Sequence, residues 1–240
     1  GVYRAGVHRL ACFVMGWSLL VVLFGGTTKS KEAGLTIPEP FILKWIPDWF
    51  FVENLNAEYT HRVSVGVLSI GTLLLVSWIM TTECRKWVRR LALYSMGLLV
   101  AQAVVGALTV YFLAQAHTSI PHALMGQSFF AVIAALTVVT SRRWIDGPAP
   151  VASGEQPALH RMAKWLIIAL LIQLILGGAI RHDNKGEALR SGNAYIFVAH
   201  LMAHVLGAMA VTYYMARVLV RIFRKHREML PAREFGYAVL

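Results

Sequence analysis

The 240-residue chain is 57% hydrophobic and 15% charged, with a mean hydropathy of +0.58, whereas a soluble domain of this size sits nearer half apolar and a quarter charged. Its net charge of +11 would suit a nucleic-acid partner on a soluble protein. Here the basic residues cluster between long apolar blocks, which excludes nucleic acid and makes the charge a signal of membrane topology.

Six blocks reach membrane-spanning length: 9–25, 59–80, 91–114, 118–140, 163–181 and 195–220. Each must be helical, because lipid offers the backbone no hydrogen-bond partners. The expected fold is therefore an all-α, polytopic membrane helix bundle. No cleavable signal is expected in the first block, since GGTTKSKEAG after it has no small-x-small site. The segment 26–58 carries Pro38, Pro40 and Pro47 with Trp45, Trp49, Phe50 and Phe51. Those aromatics belong at a membrane interface, and so long a loop is expected to cover a site. The second block opens EYTHRVSVG. After the fourth comes IDGPAPVASGEQPA (145–158), a Pro/Gly-rich linker.

The N-terminus, 81–90, 141–164 and 217–233 hold 16 of the 23 Lys and Arg residues. The positive-inside rule puts these segments and the N-terminus in the cytoplasm of a multi-pass cell-membrane protein. Cys12 and Cys84 then lie on the reducing side, so no disulfide is expected.

The two halves of the chain resemble each other. The first block ends LLVVLFGGTTKS and the fifth LIQLILGGAIRH, both with GG followed by a base, Lys29 or Arg181. The second block begins HRVSVGV and the sixth contains HVLGAMA. A duplicated helix bundle is expected, with 1–144 as a four-helix bundle and 159–240 as a second bundle with two helices. AREFGYAVL at the end reads as the start of a further span, so a C-terminal truncation of an eight-helix protein is expected.

Four histidines lie in or at the outer ends of the blocks: His61, His122, His200 and His204. A group that ionises inside a bilayer is a functional signal by default. From the rise of a helix, His61 and His122 sit at one depth, roughly 5–8 Å in. Two imidazoles facing at one level in a four-helix bundle can hold haem iron from both sides, whereas zinc would want more ligands. A plain hydrogen bond to a neighbouring helix is the alternative. His204 aligns with His61 in the repeat, and His200 lies one turn earlier on the same face. Glu58 precedes His61 by three residues and Arg62 by four, so all three share a helical face. That pattern reads either as charges matched to a helix start or as a carboxylate held beside a macrocycle by Arg62.

In order, GGTTKSKEAGLTIPEP (25–40), EYTHR (58–62), QAVVGALTV (102–110), HALMGQSFFA (122–131) and QLILGGAIRH (173–182) resemble the motifs of haem A synthases, membrane enzymes of cytochrome oxidase assembly. The resemblance implies two four-helix bundles. The first would bind the substrate haem O between His61 and His122, with Glu58 as the catalytic carboxylate. The second would bind a haem b cofactor through His204 and an eighth-helix histidine beyond this sequence. Arg62, His200, Lys29 and Arg181 would surround these ligands. The implied reaction oxidises the C8 methyl of haem O to a formyl group by successive hydroxylations. Implied partners are haem O, its synthase, the lipid bilayer and an unidentified electron acceptor, with homo-oligomerisation left open. Lys29 stands where many members carry arginine, and 26–58 lacks the cysteine pair of some members. A non-enzymatic membrane dihaem b-type electron carrier is the rival reading, separated from the first by whether Glu58 has a use.

Overall fold

A computed structural model of the chain describes residues 1–30, 53–112, 116–147, 156–182 and 194–225. The described residues are helical, with no strand among them. The helices are α1 (Ala5–Ser30), α2 (Glu53–Thr82), α3 (Lys86–Tyr111), α4 (Ala116–Val139), α5 (Arg142–Asp146), α6 (Gln156–His182) and α7 (Ala194–Lys225). All but α5 are long and apolar enough to cross a membrane, and the chain is a multi-pass membrane helix bundle. Residues 31–52, with the Pro- and Trp-rich part of the expected covering loop, lie outside the described residues. So do 148–155, the greater part of the expected linker, and 226–240, which include AREFGYAVL.

The helices outrun the apolar blocks. α1 continues through Gly25 and Gly26 to Ser30, and the Thr27 hydroxyl donates to the Phe24 carbonyl at 2.8 Å. Such a bond back along the helix satisfies a polar side chain where water is scarce. α2 likewise begins at Glu53, ahead of its apolar run.

The chain divides into two compact units, Gly1–Asp146 and Gly147–Leu240. In the first, α1 packs on α2 and α4, and α3 packs on the same two helices. The four close a ring in which α2 stands across from α4. The core is Val7, Ala11, Val14 and Val21 of α1, Leu68, Leu75, Val76 and Ile79 of α2, Val88 and Ala92 of α3, and Phe129, Ile133, Leu136 and Val139 of α4. These positions are confined mostly to one half of each helix. Beyond Ser95, α3 has no buried side chain. Polar ties reinforce the packed half: the Trp17 indole donates to the Ser64 carbonyl at 2.9 Å, and the Thr137 hydroxyl to the Ala11 carbonyl at 3.1 Å. Interhelical bonds of this kind hold helices together where the hydrophobic effect has no water to act against.

The turn from α2 to α3 is three residues, Glu83 to Arg85. Glu83 accepts from the Arg85 backbone N–H at 2.9 Å and from its guanidinium at 3.0 and 2.8 Å. The same guanidinium donates to the carbonyl of Val139, the last residue of α4, at 3.0 Å. A cation on the final carbonyls of a helix satisfies an orphan acceptor and offsets the helix dipole. One arginine thus fixes a turn and ties it to α4. In the second unit, α6 packs on α7; among its described residues only Val218 and Ile222 are buried.

The Arg85 guanidinium, by its hydrogen bonds, holds the Glu83 carboxyl below the ordinary 4.5. A depressed folded-state pKa contributes stability above the unfolded value, and that contribution is lost as pH falls through the folded one. Glu83→Gln should therefore lower stability by about 0.5–1 kcal/mol at neutral pH. The deficit should vanish in acid below the usual carboxylate range, as read by thermal unfolding in detergent against pH.

Candidate functional site

His61 begins the inner stretch of α2 and His122 that of α4, on helices that face each other across the ring. The His61 imidazole is near enough to act electrostatically on that of His122. Both occupy the half of the first unit that the apolar core does not fill. On α4 the ring follows Pro121, which lies inside the helix and cannot donate to the carbonyl of His117. His117 itself is exposed, with its ring edge-on to Phe112 at 5.4 Å, so it does not join His122.

Each imidazole is seated on a glycine of the neighbouring helix. A β-carbon on Gly25 of α1 would stand 3.0 Å from Cε1 of His61, and one on Gly106 of α3 would stand 3.1 Å from Cε1 of His122. In the second unit, a β-carbon on Gly177 of α6 would stand 2.9 Å from Cε1 of His204. These separations are tighter than carbon atoms normally tolerate, so only glycine admits the ring so near the helix axis. Three helix pairs therefore present one device, a histidine laid in the notch of an adjacent glycine.

The polar atoms of the first pair of rings are poorly served. Nδ1 of His61 and Nδ1 of His122 are buried without a hydrogen-bond partner. The Val21 carbonyl is within reach of the His61 ring, yet it makes no bond of ordinary geometry to Nδ1. A buried polar atom left so costs about 1–3 kcal/mol, and native structures keep few of them without a reason.

Glu58 is 3% exposed, one turn before His61. Arg62 donates from Nη2 to Oε1 of Glu58, so of the two roles that Arg62 could take, its partner here is the carboxylate. A buried charge must be paired in this way. His204 is half-buried on α7 and His200, a turn earlier, is exposed. Lys29 and Arg181 lie on α1 and α6 near their C-terminal ends, and their side chains lie outside the described residues. Among the described residues, no three His, Cys, Asp or Glu side chains converge as a metal cluster would require.

Two residues of the site escaped the sequence reading. Gln102 lies against Gly126, with Nε2 2.7 Å from where a β-carbon there would stand, and Gln173 lies against Gly207 with its amide turned the other way, Oε1 toward the glycine. The signal was present as Q-x-x-x-G in QAVVG and QLILG, opposite H-x-x-x-G in HALMG and H-x-x-G in HVLG. The α6–α7 pair thus shares its Gly–His seat with both pairs of the first unit, and its glutamine with α3–α4.

Fold and site together define a multi-pass membrane helix bundle that carries seated intramembrane histidines. The pattern of the cytochrome oxidase assembly protein family, COX15-CtaA, matches residues 48–195, and the chain belongs to that family. A protein of Geobacillus thermodenitrificans named Heme A synthase is 25% identical over 240 aligned residues, covering 92% of this chain and 74% of that protein. One of Listeria welshimeri serovar 6b with the same name is 31% identical over 146, covering 58% of this chain and 45% of that protein. The chain therefore spans less than half the length of the second of these relatives. No solved structure matches the chain.

The glycine seats make a direct test. Gly25→Ala, Gly106→Ala and Gly177→Ala should each displace a ring, at the roughly 1–3 kcal/mol typical of overpacking. Gly16→Ala and Gly97→Ala, where a β-carbon meets nothing within 4 Å, should keep or slightly raise stability, since alanine favours a helix over glycine. A melting curve in detergent for each variant, beside its 15N-histidine spectrum, separates the two groups.

Proposed function

We propose that the chain is the haem-oxidising part of a haem A synthase, which converts the C8 methyl of haem O to a formyl group for cytochrome oxidase assembly. The observation that carries this reading is the pairing of His61 and His122 on helices across one ring. Each is seated on a glycine, each has a buried nitrogen without a partner, and Glu58 is buried one turn from the first. Two buried imidazoles on helices that face each other in an apolar bundle suit axial ligation from two sides, and the half of the unit in which they sit, with few buried apolar side chains, suits a flat apolar macrocycle.

In this reading His61 and His122 orient the substrate haem O so that one edge is offered to Glu58. Seating on glycine restricts each ring to one plane and one depth, which is the positional control that the chemistry needs. Glu58 serves as the proton acceptor and donor near the methyl as it is oxidised. Arg62 keeps Oε1 in place and stabilises the carboxylate against burial. The apolar walls exclude bulk water from the reacting edge. In the second unit, His204 on its Gly177 seat would supply one axial ligand to a haem b, whose chemistry when bound is one-electron transfer.

Further roles follow from the same reading. The enzyme that makes haem O is the natural supplier of substrate. An acceptor outside this chain takes the four electrons that the methyl loses, one water admitted to the reacting edge supplies the formyl oxygen, and the four protons released leave by way of Glu58. The distribution of Lys and Arg argues for a cytoplasmic N-terminus, which puts the His61 and His122 end of the first unit on the outer side.

Glu58→Gln keeps the shape of the side chain and removes its charge. Purified from cells that make haem O, this variant should retain haem. It should form haem A about 10²-fold or more slowly, accumulating haem O or its hydroxylated form, as identified by mass after extraction. Normal haem A from this variant would remove Glu58 from the mechanism. Extraction of haem b alone from the wild type would favour the electron-carrier reading.

A further inference from the structure

We propose that Gln102 and Gln173 are positioning residues for the histidines opposite them: each amide is the hydrogen-bond partner of imidazole Nδ1, of His122 and His204 respectively, and holds the ring on its glycine with Nε2 directed to iron. The inference rests on the haem-binding reading above and assigns the residues that orient its ligands.

The geometry is reciprocal. His122 of α4 lies on Gly106 of α3, and Gln102 of α3 lies on Gly126 of α4; His204 of α7 lies on Gly177 of α6, and Gln173 of α6 lies on Gly207 of α7. On each helix the polar residue and the glycine are one turn apart. The crossing therefore brings amide and imidazole side by side between two closely approaching backbones. In the second unit the contact is made: Gln173 Nε2 stands 2.9 Å from His204 Nδ1 and also donates to the His204 carbonyl. In the first unit both partners are present and unserved. Oε1 of Gln102 is a buried acceptor without a donor, and Nδ1 of His122 is a buried ring nitrogen without a partner. Two complementary orphans on one helix pair, with the matching groups in contact on another, point to one amide–imidazole pairing used twice, in the polarity that the tautomer of each ring sets.

The chemistry explains why an amide is used. A neutral imidazole carries one proton, and iron takes the nitrogen that lacks it. With Oε1 toward the ring, Nδ1 holds the proton and Nε2 is free to ligate. With Nε2 toward the ring, as Gln173 stands, Nδ1 accepts and the proton is on Nε2. A half-turn of the amide exchanges the two states; on Gln173 it also gives up the bond to the His204 carbonyl, a loss that ligation at Nε2 must outweigh. Partners of this kind set both the orientation and the basicity of a ligating histidine. The α1–α2 pair lacks the device, because Val21 stands one turn before Gly25 where glutamine stands on α3 and α6.

The test uses the full chain purified in detergent with its haem, as wild type, Gln102→Leu, Gln102→Glu, Gln173→Leu and Gln173→Glu. The readouts are the haem midpoint potential and the low-temperature electron paramagnetic resonance spectrum. Glutamate, a stronger acceptor for Nδ1–H, should lower the potential of the haem held by its partner histidine. Leucine should raise that potential, broaden the low-spin signal, or release the haem. Gln102 variants should act on the His122 haem alone and Gln173 variants on the His204 haem alone. Haem-loaded leucine and glutamate variants with wild-type potentials and spectra would overturn the inference while leaving the haem-binding reading intact. Wild-type protein without haem would overturn both. A 15N-histidine spectrum of the haem-free protein gives a readout independent of iron: Gln173→Leu should change the tautomer balance of His204, and an unchanged balance would overturn the inference.

Discussion

An imidazole can lie between two packed helices only where one of them gives up its side chain. Gly25, Gly106 and Gly177 make that concession opposite His61, His122 and His204. The rest of the site depends on it. With a β-carbon at any of these positions the ring would have to give way by a few tenths of an ångström or more and would lose its fixed place in the helix interface. The notch also sets how closely the helices approach, and so whether a glutamine one turn away can reach across. Local backbone composition thus makes room for the polar centre of an otherwise apolar bundle.

The first unit divides its tasks along the helix axes. One half is a conventional packed interior in which Leu75, Ile79, Ile133, Leu136 and Val14 are fully buried and tied by indole and hydroxyl bonds to backbone carbonyls. The other half holds the histidines, the Glu58–Arg62 pair and few buried apolar side chains. Polar groups that cost stability are kept where the packing does not depend on them, and the core can be optimised without reference to the chemistry.

Much of this was legible in the sequence. Six spans follow from block length, because a bilayer admits only helices of about 20 apolar residues. That His61 and His122 lie in the same half of α2 and α4 follows from counting residues along the apolar blocks, and the Glu58–Arg62 pair from i, i+4 spacing. What the sequence did not yield was lateral arrangement. Periodicity says that His122 lies inside α4, but not that Gly106 of α3 lies under it, since helix neighbours are set by packing rather than by local pattern. For the same reason Gln102 and Gln173 were quoted as parts of motifs without being connected to the histidines. The helix ends were also underestimated. Thr27 in α1 can satisfy its hydroxyl within the helix, so α1 continues past the apolar run that marked it.

The Arg85 clamp on the carbonyl of Val139 has a mechanical meaning as well. It joins the turn between α2 and α3 to the end of α4, at the extremity of the unit farthest from the histidines. Helices fastened together at one extremity behave as cantilevers, stiff near the anchor and compliant toward the tip. Parting the tips by a small angle bends hydrogen-bonded rods slightly and leaves the anchored interior in register.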